Sequence, residues 1–147
     1  MKNIETMDDI EIMARTIYGE ARGEYGRVDG GLAALIAVGN VIMNRAQQQT
    51  WFGDTVRDVC LKPYQFSCWN ESDPNRERLV AVTDETPIFA QCFDVARAVI
   101  ARSYPDLTKG SDHYYSHDLV FPPKWSLSAA ERARIGKHRF FKLAGRK

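Results

Sequence analysis

The sequence predicts a mainly α-helical, α+β fold: one domain over residues 1–147, with one or two short strands beside a cleft. Three observations carry this. Apolar residues recur at helical spacing in long stretches near residues 10–21, 30–45 and 88–100. Aromatic residues outside those stretches crowd into proline-containing segments at 62–70 and 121–125, where regular structure is interrupted. A chain of 147 residues is the size of one domain and buries one good core.

The first helix is expected from Asp8 or Asp9, a good N-cap, to about Arg22, with Gly23 ending it. Ile10, Met13, Ala14, Ile17, Tyr18 and Ala21 form its apolar stripe, and Arg15 and Arg22 are expected on the solvated side. A polar loop follows from Glu24 to Asp29. The stretch Gly30–Arg45 is apolar nearly all round, which marks a helix buried on most faces and packed against the first. Trp51-Phe52-Gly53 reads as a turn, and Thr55–Leu61 as a short helix capped by Asp54 or Thr55. Lys62–Asn70 is a loop opened by Pro63, and the charged stretch Glu71–Glu85 is surface loop with a little helix. Thr86-Pro87 starts a helix that runs to about Ser103, since proline suits the first helical position. Beyond Tyr104-Pro105 the pattern is irregular. His113–Ser116 and His138–Phe141 read as short strands. Ser126 or Ser128 is expected to cap a last short helix that Gly136 ends.

With 20 basic and 19 acidic residues the net charge is +1, so no general field draws the chain to nucleic acid or membrane. The C-terminus is locally basic: Arg132, Arg134, Lys137, His138, Arg139, Lys142, Arg146 and Lys147 face only Glu131. Such an end is either solvated or meets an anionic surface. No apolar run spans a bilayer, and residues 1–9 lack the pattern of a secretory signal. Synthesis in a cytoplasm, without a cleavable export signal, is therefore expected. Cys60, Cys68 and Cys92 are odd in number and lack metal-type spacing, so they read as reduced thiols.

Glu20 lies three residues after Ile17, about 60° around the helix, on the flank where core gives way to surface. A half-desolvated carboxyl there holds its proton near neutrality, as a general acid must; a solvated or ion-paired Glu is the alternative. Tyr64, Phe66, Trp69, Tyr114, Tyr115, Trp125 and Phe140 sit in loop-rich segments among Gln65, Ser67, Asn70 and His113. Rings beside amides and hydroxyls suit a sugar, and they equally suit a secondary core covered by loops. His113 and His117, flanked by Asp112 and Asp118, invite a metal reading. That spacing joins two ligands only on a helix, and no HExxH motif or cysteine pair accompanies it, so neither a metal nor a cofactor is expected.

The ordered segments ARTIYGEARGE (residues 14–24), AVGNVIMNR (37–45), KPYQFSCW (62–69), HYYS (113–116), PPKW (122–125) and GKHRFF (136–141) resemble the cell-wall hydrolases of the spore cortex-lytic type. The resemblance spans about Met13 to Lys142. It implies a lysozyme-like fold and cleavage of peptidoglycan glycan strands between N-acetylmuramic acid and N-acetylglucosamine. It also implies that Glu20 is the catalytic acid of a lytic transglycosylase, giving a 1,6-anhydro product. Glu24 is expected to tune or orient the site, and Gln65, Phe66, Ser67, Tyr114, Tyr115, Trp125 and His138 to meet the substrate. Independently, glycosidases with two carboxylates place them on opposite sides of the bond, about 5–5.5 Å or 6.5–9.5 Å apart. Glu20 and Glu24 would leave one side of one helix, so they do not readily flank a sugar. A hydrolytic muramidase using Asp112 or Asp118 is the nearest rival; a zinc amidase and a non-catalytic wall-binding module follow. Unlike the cortex-lytic enzymes, the sequence carries neither a signal peptide nor wall-binding repeats. A monomeric phage lysin released through a holin, or a virion-carried enzyme, is the expected setting.

Overall fold

Helix α1 (Asp9–Tyr25) begins where the Asp8 side chain accepts the Glu11 N–H, and it is the spine of the fold. The computed structural model describes residues 3–143, five α-helices and a three-stranded sheet. The expected stripe is buried through Met13, Ala14, Ile17, Tyr18 and Ala21, with Ile10 partly buried and Ile12 added to it. Two expectations for this helix are corrected. Arg15 is 4% exposed rather than solvated. Its guanidinium pairs with Glu11 at 2.9 Å and donates to the carbonyls of Leu79, Val80 and Val82. Those carbonyls close the short helix α4 (Arg76–Ala81), so a cation buried at that end meets oxygens with no helical partner. The helix also continues through Gly23 to Tyr25, because the buried Glu24 is held by tertiary bonds that outweigh the glycine.

Helix α2 (Leu32–Gln48) is buried on most faces, and α1, α2 and α5 (Pro87–Ile100) pack together around the main core. Helix α3 (Val56–Leu61) is capped by Thr55, whose hydroxyl accepts the Asp58 N–H. A single 3-10 turn, Ser67–Trp69, interrupts the loop after it.

Strands β1 (His113–Ser116), β2 (Glu131–Ile135) and β3 (His138–Phe141) form an antiparallel sheet in the order β1-β3-β2. Tyr114 faces Phe140, and Ser116 faces His138. Phe140 drops between Ala37 and Val41 of α2, fastening the sheet to the helices. The helix expected after Ser126 is a 3-10 segment, Lys124–Ser128, and then strand β2, so the sheet has three strands rather than one or two. Gly136, at φ 59°, does not end a helix. It makes the two-residue turn of a β2–β3 hairpin, which requires positive φ.

Among the described residues, no helix is long and apolar enough to cross a membrane. The three cysteines are free and buried. Much of the basic C-terminal cluster is engaged: Arg134 and Arg139 pair with Glu131, Arg132 donates to the Lys109 carbonyl, and Lys137 reaches Glu24 and Asp118. Arg146 and Lys147 lie outside the described residues.

Candidate active site

Glu20 stands near the end of α1 at the wall of a cleft of about 220 Å³, lined also by Arg45, Gln65, Phe66, Tyr114, Tyr115, Ser116 and His138. Its neighbour Gly19 allows this placement. A Cβ on Gly19 would lie 2.8 Å from both Cys68 Sγ and Leu79 Cδ1, so glycine lets α1 approach the 67–69 turn. The Tyr114 hydroxyl donates to the Glu20 carboxyl, and the Cys68 thiol lies beside it. Burial holds the Glu20 pKa above the ordinary glutamate value. The Tyr114 and Cys68 hydrogen bonds and the nearby Arg45 charge oppose the shift without cancelling it. Burial, reinforced by Glu20, pushes the Tyr114 phenol and the Cys68 thiol upward, so both keep their protons.

Arg45 comes from the C-terminal part of α2. Its Nε donates to the Asp112 carbonyl at 2.8 Å, and its guanidinium lies over the rings of Phe52 and Phe66, 4.7 and 5.1 Å from their centroids. The Gln65 amide nitrogen is committed to the Phe52 and Val59 carbonyls, leaving its oxygen as the group that can meet a ligand. His138 packs edge-on to Tyr114, and burial lowers its pKa, so it faces the cleft as a neutral imidazole. The arrangement sets a carboxyl of raised pKa among groups that favour its carboxylate form.

Of the residues singled out in the sequence, Glu20, Gln65, Phe66, Tyr114, Tyr115 and His138 line this one cleft. Ser67 is exposed outside the cleft lining, and Trp125 packs against His113, Tyr115 and Phe141. Glu24 lies away from the cleft lining. Its carboxylate accepts the Lys137 N–H at 2.6 Å, beside the hairpin turn. The two readings of the aromatic loops each hold in part: Phe66 and Tyr115 line the cleft, whereas Trp69 is core, its Nε1–H bonded to Thr16. Asp112 is fully buried and bonded to His113, Gln48 and the Leu143 N–H. Asp118 pairs with Lys137 and His117. Neither aspartate lines the cleft. Among the described residues, no three His, Cys, Asp or Glu side chains cluster as a metal site.

Sequence reasoning missed Arg45, Ser116 and Cys68. An arginine at the end of a helix otherwise buried all round was the available signal for Arg45, since a cation there needs a special partner. For Cys68 the sequence offers no signal.

Residues 31–141 match the profile of a family described as Cell Wall Hydrolase. The spore cortex-lytic enzyme of Halalkalibacterium halodurans is 32% identical over 134 residues, which are 90% of this chain and 34% of that protein. The spore cortex-lytic enzyme of Bacillus subtilis is 28% identical over 135 residues, 90% of this chain and 37% of that protein. This chain therefore spans less than half the length of these curated relatives. Among solved structures, the catalytic domain of SleB from Bacillus anthracis, described as a germination-specific lytic transglycosylase, aligns with a TM-score of 0.69 and 26% identity, covering 97% of this chain and 100% of that domain. The catalytic domain of SleB from Bacillus cereus aligns with a TM-score of 0.65 and 28% identity, covering 91% of this chain and 89% of that one. This chain, half-helical with a small three-stranded sheet, thus has SleB catalytic domains as structural neighbours, consistent with a lysozyme-like, mainly α-helical α+β fold. The family profile begins after Glu20, so the case for that residue rests on its geometry.

Proposed function

The chain belongs to the cell wall hydrolase family, and on that premise we propose that it degrades peptidoglycan as a lytic transglycosylase with Glu20 as its catalytic acid. The bond cleaved joins N-acetylmuramic acid to N-acetylglucosamine. The observation that carries this reading is a single carboxyl, raised in pKa by burial, in a cleft lined by no second carboxylate among the described residues. A hydrolase commonly needs a second carboxylate, as the base for water or as the nucleophile. A transglycosylase does not, because the attacking group is the sugar's own C6 hydroxyl. The name of the Bacillus anthracis domain, a lytic transglycosylase, supports the same chemistry; the germination role in that name is not carried over.

In the reaction, Glu20 gives its proton to the glycosidic oxygen as the bond from that oxygen to C1 breaks. Positive charge develops on the muramic ring, and a carboxylate is left on Glu20. Tyr114 keeps donating to that carboxylate, and the neighbouring Cys68 thiol and Arg45 charge favour it as well. The carboxylate then takes the C6 hydroxyl proton while that oxygen closes on C1. The acid is restored, and the products are a 1,6-anhydro muramic end and a free 4-hydroxyl. One group serves as acid and then as base, so its pKa must stay between the two extremes; burial and the three opposing contacts set that balance.

The test is mass spectrometry of soluble products from purified sacculi, digested by the wild type and by Glu20→Gln. Anhydro-muropeptides from the wild type alone are expected. Reducing-end muramic acid would replace the transglycosylase with a muramidase. Equal product from both proteins would remove Glu20 from the chemistry.

A further inference from the structure

Residues flanking the loop that supplies Gln65 and Phe66 line a groove separate from the Glu20 cleft. Tyr64 is 85% exposed at φ 65°, a backbone region that a bulky aromatic adopts only under strain. It is held there by its neighbours: the Tyr64 N–H donates to the Asn70 side-chain oxygen at 3.3 Å, and the Gln65 amide ties the next residue down. The strain presents a ring to solvent where burial would be expected. Among the described residues, the ring meets no other ring or guanidinium. It borders an open groove of about 560 Å³ with Leu61, Pro63 and Trp69 as apolar lining and Asn70 among its polar groups.

A second groove, of about 510 Å³, shares Leu61 and Lys62 with the first and carries Trp51, which is 62% exposed. The Trp51 ring rests on Phe52, and Phe52 lies under the Arg45 guanidinium of the Glu20 cleft. The two exposed rings therefore flank Lys62, and both are joined to the cleft, one through Gln65 and the other through Phe52.

We infer that Tyr64 and Trp51 form an accessory glycan-binding strip that stacks on sugars of the same strand, beyond the units held at Glu20. The inference rests on the reading of the Glu20 cleft as a site for glycan cleavage. Sugar rings, rather than the charged stem peptides, are the occupant because the cations here are already engaged. The Lys62 ammonium donates to the Trp51 carbonyl, and Arg76 donates to the Trp69 carbonyl at 3.0 Å. The Tyr64 ring and the part of the Trp51 ring left beside the Lys62 ammonium suit a sugar's apolar face, and the Asn70 amide and Ser72 hydroxyl suit its edge. Glu71, Asp54 and Asp58 on the same grooves disfavour the carboxylates of a stem peptide.

The experiment measures binding, so that it reads out without turnover. In a Glu20→Gln background, sedimentation with intact sacculi and with peptide-stripped glycan strands is compared for Tyr64→Gly, Trp51→Ala and the pair. Glycine suits the positive φ, so Tyr64→Gly removes the ring while relieving the backbone, and its thermal unfolding should match or exceed the parent's. The strip predicts roughly three- to tenfold weaker binding for each variant on both substrates. Unchanged binding would overturn it, as would a loss confined to peptide-bearing sacculi, which would make the stem peptide the occupant. A Glu20→Gln enzyme that still cleaves would strike the catalytic reading instead, leaving the binding comparison to stand on its own.

Discussion

The phenol of Tyr114 donates to Glu20, and the thiol of Cys68, packed against Gly19, lies beside the same carboxyl. Both groups are held neutral by burial, so neither would compete with Glu20 in the proposed role of acid. Burial raises the Glu20 pKa and the Tyr114 bond lowers it. In Tyr114→Phe the carboxyl loses that support and its pKa climbs further. The alkaline fall in kcat, which reports loss of the acid's proton, should therefore move to higher pH. The plateau rate should drop roughly ten- to a hundredfold, since a hydrogen bond to a charge that forms at the transition state is lost. A pH–rate profile of dye release from labelled sacculi checks both. An unshifted alkaline limb with only a raised KM would assign Tyr114 to the substrate alone. Nothing in the sequence shows this pairing, because the two residues are 94 positions apart and neither breaks a local pattern.

At the scale of elements, the β2–β3 hairpin is the part that must be aimed, because β3 carries His138 and pairs with the strand that bears Tyr114. Its turn is clamped from three directions. The Gly136 N–H donates to the Asp29 carbonyl, the Lys137 N–H to the Glu24 carboxylate, and the His117 N–H to the Lys137 carbonyl. Any side chain on Gly136 would strike the Glu24 carboxylate. We propose that Glu24 is a positioning residue that acts through the hairpin. Glu24→Gln keeps an acceptor for Lys137 but loses the charge, so it should lower Tm by a few degrees and kcat by less than about tenfold. Activity as low as that of Glu20→Gln would place Glu24 in the chemistry. The three long helices were legible because their apolar spacing is set by their own packing faces. Strand β2 was not: Glu131, Arg132 and Arg134 are polar on an edge strand, and only pairing with β3 makes them regular. The buried Arg15 was misread for a similar reason, since its partners are carbonyls 64 to 67 residues away.

Over the whole molecule, the helices and the sheet must stay in register for Glu20 to face Tyr114, and a polar stripe on α2 keeps them so. Asn40 accepts the Leu107 N–H, Asn44 donates to Asp106 and to the Ser111 carbonyl, and Arg45 and Gln48 donate to Asp112. These residues recur at helical spacing, and together they bind the segment that leads into β1. Asp112 is the node, since its carboxylate also accepts from the Leu143 N–H beyond β3 and meets His113 in β1. Burial alone would raise its pKa, but the bonds from His113, Gln48 and Leu143 prevail and hold it at about 2, below the ordinary 3.8. A carboxyl depressed in the folded state contributes stability that is complete above the unfolded value and lost as pH falls through the folded one. Wild-type stability should therefore decline by on the order of 2 kcal/mol between about pH 4 and pH 2 from this group. Asp112→Asn should be less stable at neutral pH, with the gap to the wild type closing across that window. Urea unfolding of both proteins at a series of pH values measures it. A gap that stays constant down to pH 2 would mean that the carboxylate charge contributes nothing. The register of the two halves would then rest on the amides and Arg45 alone.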